Sequence, residues 1–218
     1  MVVEALRLSL GVAVVATAVV AVVGTWAGWA LSRRKFPGRE WVDALLNLPL
    51  VLPPTVTGYY LLVLLGRRGL LGQPLLEWSG WSIPFTWVAC VVAAGVMAFP
   101  LMVRSARVAF DDLDRRQLLA AASLGSGRAA TFFRVALPLA RRGLTAGIVL
   151  AFARALGEFG ATLMLAGNIP GRTQTMPLAI YEAVVSGEDR AALSLAVVLT
   201  IVSLVVMVAA GRLGRGRP

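Results

Sequence analysis

The chain has 218 residues, 58% of them hydrophobic, a mean hydropathy of +0.80 and a net charge of +10. It contains no histidine, which excludes a histidine base and a histidine-ligated metal, and its one lysine, Lys35, lies outside any GxxxxGK(S/T) phosphate-binding loop. We therefore expect no cofactor on this chain, and any ATP that drives it must bind to another subunit.

The apolar residues occur in uncharged blocks of about 20, the length that a helix needs to cross ~30 Å of hydrocarbon. This pattern predicts an all-α, polytopic membrane protein that forms one domain over residues 1–218, and it does not favour strands. The excess of arginine is typical of topogenic charge in a membrane protein, so we expect no nucleic-acid partner. Five spans are predicted, at residues 8–31, 44–65, 83–103, 143–166 and 191–210.

The first predicted span begins at Leu8 and has no charge over 24 residues, whereas the second contains prolines near its centre. The second is interrupted by Pro53 and Pro54, and each proline removes a backbone donor and clashes with the preceding turn. Interrupted backbone is costly in lipid, so this break must face protein or a water-filled path. Pro53, Pro54 and Thr55 are therefore candidates for a gate or a path, and a structural kink is the alternative.

Residues 111–140 form the longest polar interruption in the chain and are predicted to form a helix–turn–helix. Asp114 has the side chain of a helix N-cap, and Gly125 is suited to the left-handed turn that ends a helix. A second short helix is predicted through residues 132–133, with Pro138 ending it. Because apolar blocks flank this segment, we expect it to be exposed at one face of the membrane.

The same loop resembles the EAA loop of ABC importer permeases, in which Glu-Ala-Ala is followed at fixed spacing by a glycine and by a hydrophobic sequence that ends in Leu-Pro. Here Leu119 stands where the family has glutamate. The resemblance implies a coupling loop that docks on a separate ATPase subunit, and an ordinary cytoplasmic loop is the alternative. The implied docking residues are Leu119, Ala120, Ala121, Gly125, Val135, Leu137 and Pro138.

The fourth predicted span contains two charges, Arg154 and Glu158, four residues apart on one face of a helix. Either charge alone costs ~3 kcal/mol at the centre of the membrane, so we expect the two to pair and to face the interior of the assembly. Thr162 lies one turn beyond Glu158. All three are candidates for lining the path of a polar solute. A structural ion pair that locks one helix to another is an equally open interpretation.

The positive charges predict the orientation of the spans. With the N-terminus outside, 15 of the 21 basic residues fall in inside segments and five fall in outside segments. This distribution follows the positive-inside rule, and it places the C-terminus and residues 111–140 in the cytoplasm.

Most of the chain, from about residue 30 to residue 190, resembles the permeases of oxyanion importers, closest to molybdate permeases and next to sulfate permeases. The resemblance implies the type I permease fold of ABC importers, with about five transmembrane helices and a cytoplasmic coupling helix, in the inner membrane. It also implies a homodimer, two cytoplasmic ATPase subunits and an external oxyanion-binding protein. The sequences that carry it are LNLPLVLPPTVTGYYLLVLLGRRG, FPLMVRSARVAF and ARALGEFGATLMLAGNIPGRTQTMPLAIY.

The expected function is ATP-driven import of a tetrahedral oxyanion, molybdate first and sulfate or tungstate as alternatives, with no catalytic residue on this chain. Two functions of other classes remain open. A membrane enzyme would need paired acids or a nucleophile with a base, and the acidic cluster of Asp111, Asp112 and Asp114 is more typical of a helix start. A secondary transporter would usually show two related halves, and the sequence shows no internal repeat.

Overall fold

The structure is a computed structural model, and it describes residues 2–33, 37–123 and 125–214. These residues form helices and no strand, which confirms the all-α prediction. Within them, eleven α-helices and one π-turn follow in chain order: α1 (Val2–Arg33), α2 (Arg39–Val51), α3 (Pro54–Leu65), α4 (Gly72–Ser79), α5 (Trp87–Asp111), α6 (Arg115–Ser123), α7 (Arg128–Thr131), the π-turn (Phe132–Ala136), α8 (Leu137–Leu156), α9 (Gly160–Ala166), α10 (Met176–Val185) and α11 (Asp189–Gly214).

Three long helices, α1, α5 and α8, form the centre of the molecule. α1 and α5 run in the same direction, because Gly24 and Gly28 of α1 lie against Met102 and Ala106 of α5, and α8 runs against both. The contacts between them are made largely by glycine and alanine. Small residues let helix backbones approach closely, which favours association in a membrane where apolar burial alone gives no driving force.

The second predicted span consists of two helices, α2 and α3, that are bent by 114° relative to each other. The pair nevertheless connects the two ends of the bundle. Asp43 of α2 lies beside Arg107 at the C-terminal end of α5, whereas α3 lies along α9. Leu165 O of α9 in turn accepts a hydrogen bond of 3.2 Å from Phe85 N, just before α5 begins. With the bent pair counted as one, the described residues hold five candidate spans.

The prediction that Pro138 ends a helix is wrong. α7 continues through the π-turn into α8, and residues 129–156 form one apolar helical stretch. Pro138 lies in the first turn of α8, and Leu137 N bonds to Phe132 O, five residues back. The π-turn shifts the ladder of backbone hydrogen bonds by one residue, which accommodates a proline that has no N–H to donate. The helix of the fourth predicted span, expected from Gly143, therefore begins nearer the N-terminus.

The last two helices lie beside this bundle. The short helix expected at residues 176–186 is α10, Met176–Val185, and Ser9 Oγ of α1 accepts a hydrogen bond of 2.7 Å from Met176 N. α11 packs against α10 and α8 and leaves much of its apolar surface exposed, including Ile201 and Leu204. An apolar surface of this extent is suited to contact with lipid or with another chain.

Candidate functional site

The charged pair lies at a break between two helices. α8 ends at Leu156 and α9 begins at Gly160, so Arg154 and Glu158 do not share one continuous helix as we expected. They are nevertheless paired, with Arg154 Nη1 2.6 Å from Glu158 Oε2. The other carboxylate oxygen, Oε1, accepts a hydrogen bond of 2.7 Å from Ala161 N. Glu158 therefore links the last turn of α8 to the first turn of α9, where it satisfies a backbone N–H that the helix cannot.

The two charges differ in exposure. The side chain of Glu158 is 1% exposed, whereas that of Arg154 is 26% exposed. The last basic residue before the pair is Arg142, 12 residues earlier, which places Arg154 about 18 Å further along the helix axis. If Arg142 marks the membrane boundary, this depth lies well inside ~30 Å of hydrocarbon. With the boundary at Arg142, the site presents a partly exposed cation at the level of the lipid tails.

The start of α3 lies directly against the start of α9, next to the charged pair. A Cβ atom on Gly160 would come within 2.9 Å of Pro54 Cβ, and a Cβ atom on Gly58 would come within 2.7 Å of Ala161 Cα. Real Cβ atoms do not approach other atoms so closely, because the repulsive wall of the van der Waals potential is reached first. Glycine at both positions is what allows the broken second span to reach the break in the fourth.

The path and gate candidates therefore come together in space, although they lie about 100 residues apart in sequence. Residues 53–55 are exposed and Arg154 is partly exposed. Glu158 and Thr162 are buried, and Thr162 is 1% exposed. Among the path and gate candidates, residues 53–55 and Arg154 therefore contribute to the surface of the chain in this conformation, and Glu158 and Thr162 do not.

The helix–turn–helix of residues 111–140 begins as predicted. The Asp114 carboxylate accepts a hydrogen bond of 2.8 Å from Arg116 N at the start of α6. Beyond the end of α6, Gly125 has a φ of +79°, the left-handed conformation that only glycine adopts at little cost. Ser126 N donates to Ala121 O at 3.0 Å and closes the turn. The turn chemistry of this loop was therefore readable from the sequence.

None of the seven predicted docking residues is buried. Leu119, Ala120, Gly125 and Pro138 are exposed, and the other three are partly exposed: Ala121, Val135 and Leu137. The side chain at the family's glutamate position, Leu119, is 66% exposed. An apolar residue at that position removes a polar contact but offers area that a partner could bury.

Three aromatic residues anchor this loop to the bundle. The ring centroid of Trp29, in α1, lies 5.0 Å from that of Phe110 in α5 and 5.2 Å from that of Phe132 in the π-turn. Edge-to-face and tilted arrangements at such distances add to the stabilisation that burial gives. This cluster was not predicted from the sequence, although the position of Trp29 and Phe110 near the ends of apolar blocks was a usable signal.

An ion-pair network at the same end of the bundle connects α2 to α5. Arg107 Nη1 lies 2.7 Å from Asp43 Oδ2, and Arg107 Nε lies 3.6 Å from Asp111 Oδ2. None of the residues of α2, all of which the structure describes, is buried. The pair is therefore an important tie between α2 and the rest of the chain. It was not predicted, because its partners are 64 residues apart.

Residues 20–217 match the family of binding-protein-dependent transport system inner membrane components. The chain belongs to this family. It is 44% identical to the molybdenum transport system permease protein ModB of Escherichia coli K12, over 98% of this chain and 95% of that protein. It is 46% identical to the putative molybdenum transport system permease protein YvgM of Bacillus subtilis, over 92% and 88%. The sulfate transport system permease protein CysW of Synechococcus elongatus is 35% identical, over 94% and 71%.

Solved structures agree with this assignment at the level of the fold. The chain superimposes on the MetNI methionine ABC transporter with a TM-score of 0.76 and 18% identity, over 99% of this chain and 95% of the other. It superimposes on a bacterial ABC transporter that imports alginate with a TM-score of 0.77 and 13% identity, over 98% and 78%. The predicted type I permease fold is confirmed, and the chain is a multi-pass transport permease.

Proposed function

We propose that this chain is the membrane-spanning subunit of an ATP-driven importer that carries molybdate into the cell. The observation that carries the proposal is 44% identity to a molybdenum permease over 98% of the chain. Identity to a sulfate permease is lower, at 35%. Sulfate remains the second candidate for that reason. Tungstate has the same charge and tetrahedral shape as molybdate, and we expect it to compete.

The working assembly contains two copies of this chain, two cytoplasmic ATPase subunits and an external oxyanion-binding protein. The ATPase subunits dock on the coupling loop, residues 111–140. Support for this comes from the exposure of Leu119 and Ala120 and from the left-handed turn at Gly125. The orientation with the N-terminus outside places this loop in the cytoplasm, where ATP is present. The alternative, in which the loop has no partner, leaves the exposure of Leu119 without a role.

The path of the oxyanion follows residues 53–55 and Arg154, on a surface that faces the second copy. Support comes from the depth of Arg154, since a partly exposed cation at that level is costly in lipid and is tolerated beside water or protein. The helical backbone is interrupted at residues 53–55. Interrupted backbone is likewise costly in lipid and is tolerated beside water or protein. In this conformation Thr162 contributes to packing behind the surface, and Glu158 is buried beside it.

Uptake by cells tests the proposal. In a strain from which the chain has been deleted, uptake of radiolabelled molybdate should be lost, and expression of the wild-type chain should restore it. Excess unlabelled tungstate should compete with the label, and excess sulfate should not. Unchanged molybdate uptake in the deletion strain, with loss of sulfate uptake instead, would assign the chain to sulfate and overturn the proposal.

A further inference from the structure

We infer that Arg154 is the residue that contacts the oxyanion during translocation, and that Glu158 does not contact it but holds Arg154 in position. The inference rests on the proposed function, because it takes a tetrahedral oxyanion as the cargo. It assigns different roles to two side chains that the sequence presents as equal members of a pair.

The carboxylate of Glu158 has both oxygens engaged by the protein. Oε1 accepts a hydrogen bond of 2.7 Å from Ala161 N. Oε2 lies 2.6 Å from Arg154 Nη1, in an ion pair whose geometry is not that of an aligned hydrogen bond. The side chain is 1% exposed, so neither water nor a solute reaches it. A negative group would also repel an anion. Glu158 therefore positions Arg154 and the first turn of α9.

The guanidinium of Arg154 has donors to spare. It carries five N–H groups in a planar fork, and Glu158 is its one ion-pair partner among the residues that the structure describes, through Nη1. The side chain is 26% exposed, so part of Arg154 reaches the surface of the chain. A fork of this kind binds two oxygens of a carboxylate, phosphate or similar oxyanion at once, which a lysine cannot do.

The depth of Arg154 decides what its exposed part faces. An arginine in contact with lipid tails at this level costs several kcal/mol, and such residues face a water-filled cavity or another protein chain. Residues 53–55 lie next to α9 and are also exposed, so an exposed, interrupted backbone segment lies close to the charged pair. An anion that crosses the membrane beside this surface passes the partly exposed Arg154.

The pairing also sets how strongly the anion is held. A lone guanidinium in a poorly hydrated path would bind a dianion tightly and release it slowly, and a path must bind its solute weakly enough to let it leave. The buried carboxylate of Glu158 cancels most of the positive charge at a distance but leaves N–H donors of the partly exposed Arg154 available. The pair thus offers short-range hydrogen bonds with little long-range attraction.

The experiment uses the complete transporter, with its ATPase subunits and its binding protein, in proteoliposomes. The variants of this chain are Arg154→Lys, Arg154→Gln, Glu158→Gln and the double variant Arg154→Gln/Glu158→Gln. Arg212→Gln, at the exposed end of α11, is the control for loss of one positive charge. Three quantities are measured for each variant: the yield of the intact complex, the rate of ATP hydrolysis and the ATP-dependent uptake of radiolabelled molybdate.

The two interpretations of the pair predict different results for the double variant. If Arg154 contacts the anion, the double variant assembles with close to the wild-type yield, because no charge is left unpaired. Its uptake nevertheless falls by ~10-fold or more, as expected from loss of a charge-assisted hydrogen bond. Arg154→Lys keeps intermediate uptake, because it retains the charge without the fork. Arg212→Gln has no effect.

Recovery of wild-type uptake in the double variant would overturn the inference, since the pair would then serve only to stabilise the fold. Equal uptake by Arg154→Lys and Arg154→Gln would overturn it too. The proposed function fails in a different way, with a wild-type complex that hydrolyses ATP and imports no molybdate. The wild-type measurement therefore separates the two failures.

Discussion

At the scale of single residues, Gly58 and Gly160 control the contact on which the candidate path depends. Each stands where a Cβ atom would overlap the opposite helix, and for Gly58 the obstacle is the backbone of Ala161. A backbone obstacle cannot move aside as the end of a flexible side chain can. Addition of one methyl group must therefore displace α3 from α9.

We expect Gly58→Ala to lower the stability of the purified chain by about 1–3 kcal/mol, the usual cost of an extra methyl group in a closely packed contact. Thermal unfolding followed by tryptophan fluorescence in detergent measures the effect as a lower midpoint temperature. Gly11→Ala is the matched control, because Gly11 is in α1 and a methyl group added there would have nothing within 4 Å. That change should be neutral or stabilise the helix by up to ~1 kcal/mol. Equal midpoints for the two variants would contradict the close contact.

At the scale of elements, the segment from α6 to the π-turn packs against the bundle through buried residues such as Leu118 and Ala136 and through an aromatic cluster. The cluster of Trp29, Phe110 and Phe132 joins this segment to the ends of α1 and α5. The ion pair between Asp43 and Arg107 joins the same end of α5 to α2, which leads into the bend before α3. A displacement of residues 111–140 would therefore reach both the centre of the bundle and the interrupted second span.

The turn at Gly125 gives the sharpest test of the docking role. Gly125→Val should be strained by ~1–3 kcal/mol, because valine does not tolerate a φ of +79°. The strain redirects the chain after α6, and we expect less ATPase subunit to remain bound to the purified complex and import to fall. Gly127→Val is the matched control, since a Cβ atom at Gly127 would also have nothing within 4 Å and the φ of Gly127 is not positive.

Ala121→Trp tests the same surface without backbone strain, because a large side chain blocks a close approach of the partner. Retention of the ATPase is measured by co-purification from membranes, with uptake measured in parallel. Normal retention and normal import in both Gly125→Val and Ala121→Trp would show that this loop is not the coupling element.

Some of the predicted elements agree with the structure and others do not. The N-cap at Asp114 and the turn at Gly125 follow from local chemistry and were predicted. The effect of Pro138 was not, because a π-turn five residues long, Phe132–Ala136, absorbs the missing donor. The break after Leu156 was also missed, since the apolar run continues through it. Contacts between distant segments, such as Asp43 with Arg107, depend on the fold and have no local signal.

At the scale of the whole molecule, we propose five crossings with an external N-terminus, the orientation that the charge distribution predicts. Single cysteines at two exposed serines test this topology in a Cys90→Ala background, where Cys90 itself is fully buried. Ser79→Cys at the end of α4 should react with an impermeant maleimide from outside, and Ser123→Cys at the end of α6 should react from inside only. The reverse pattern would place the coupling loop outside the cell, away from ATP.

The central claim is that this chain moves an oxyanion only when ATP is hydrolysed by a partner on its coupling loop. The most direct measurement is uptake of radiolabelled molybdate by proteoliposomes that contain the chain and its ATPase subunits, with the binding protein on the opposite side of the membrane from ATP. We expect uptake to require both ATP and the binding protein and to persist when ion gradients are collapsed. Uptake without ATP that follows an imposed ion gradient would identify a secondary transporter and contradict the account.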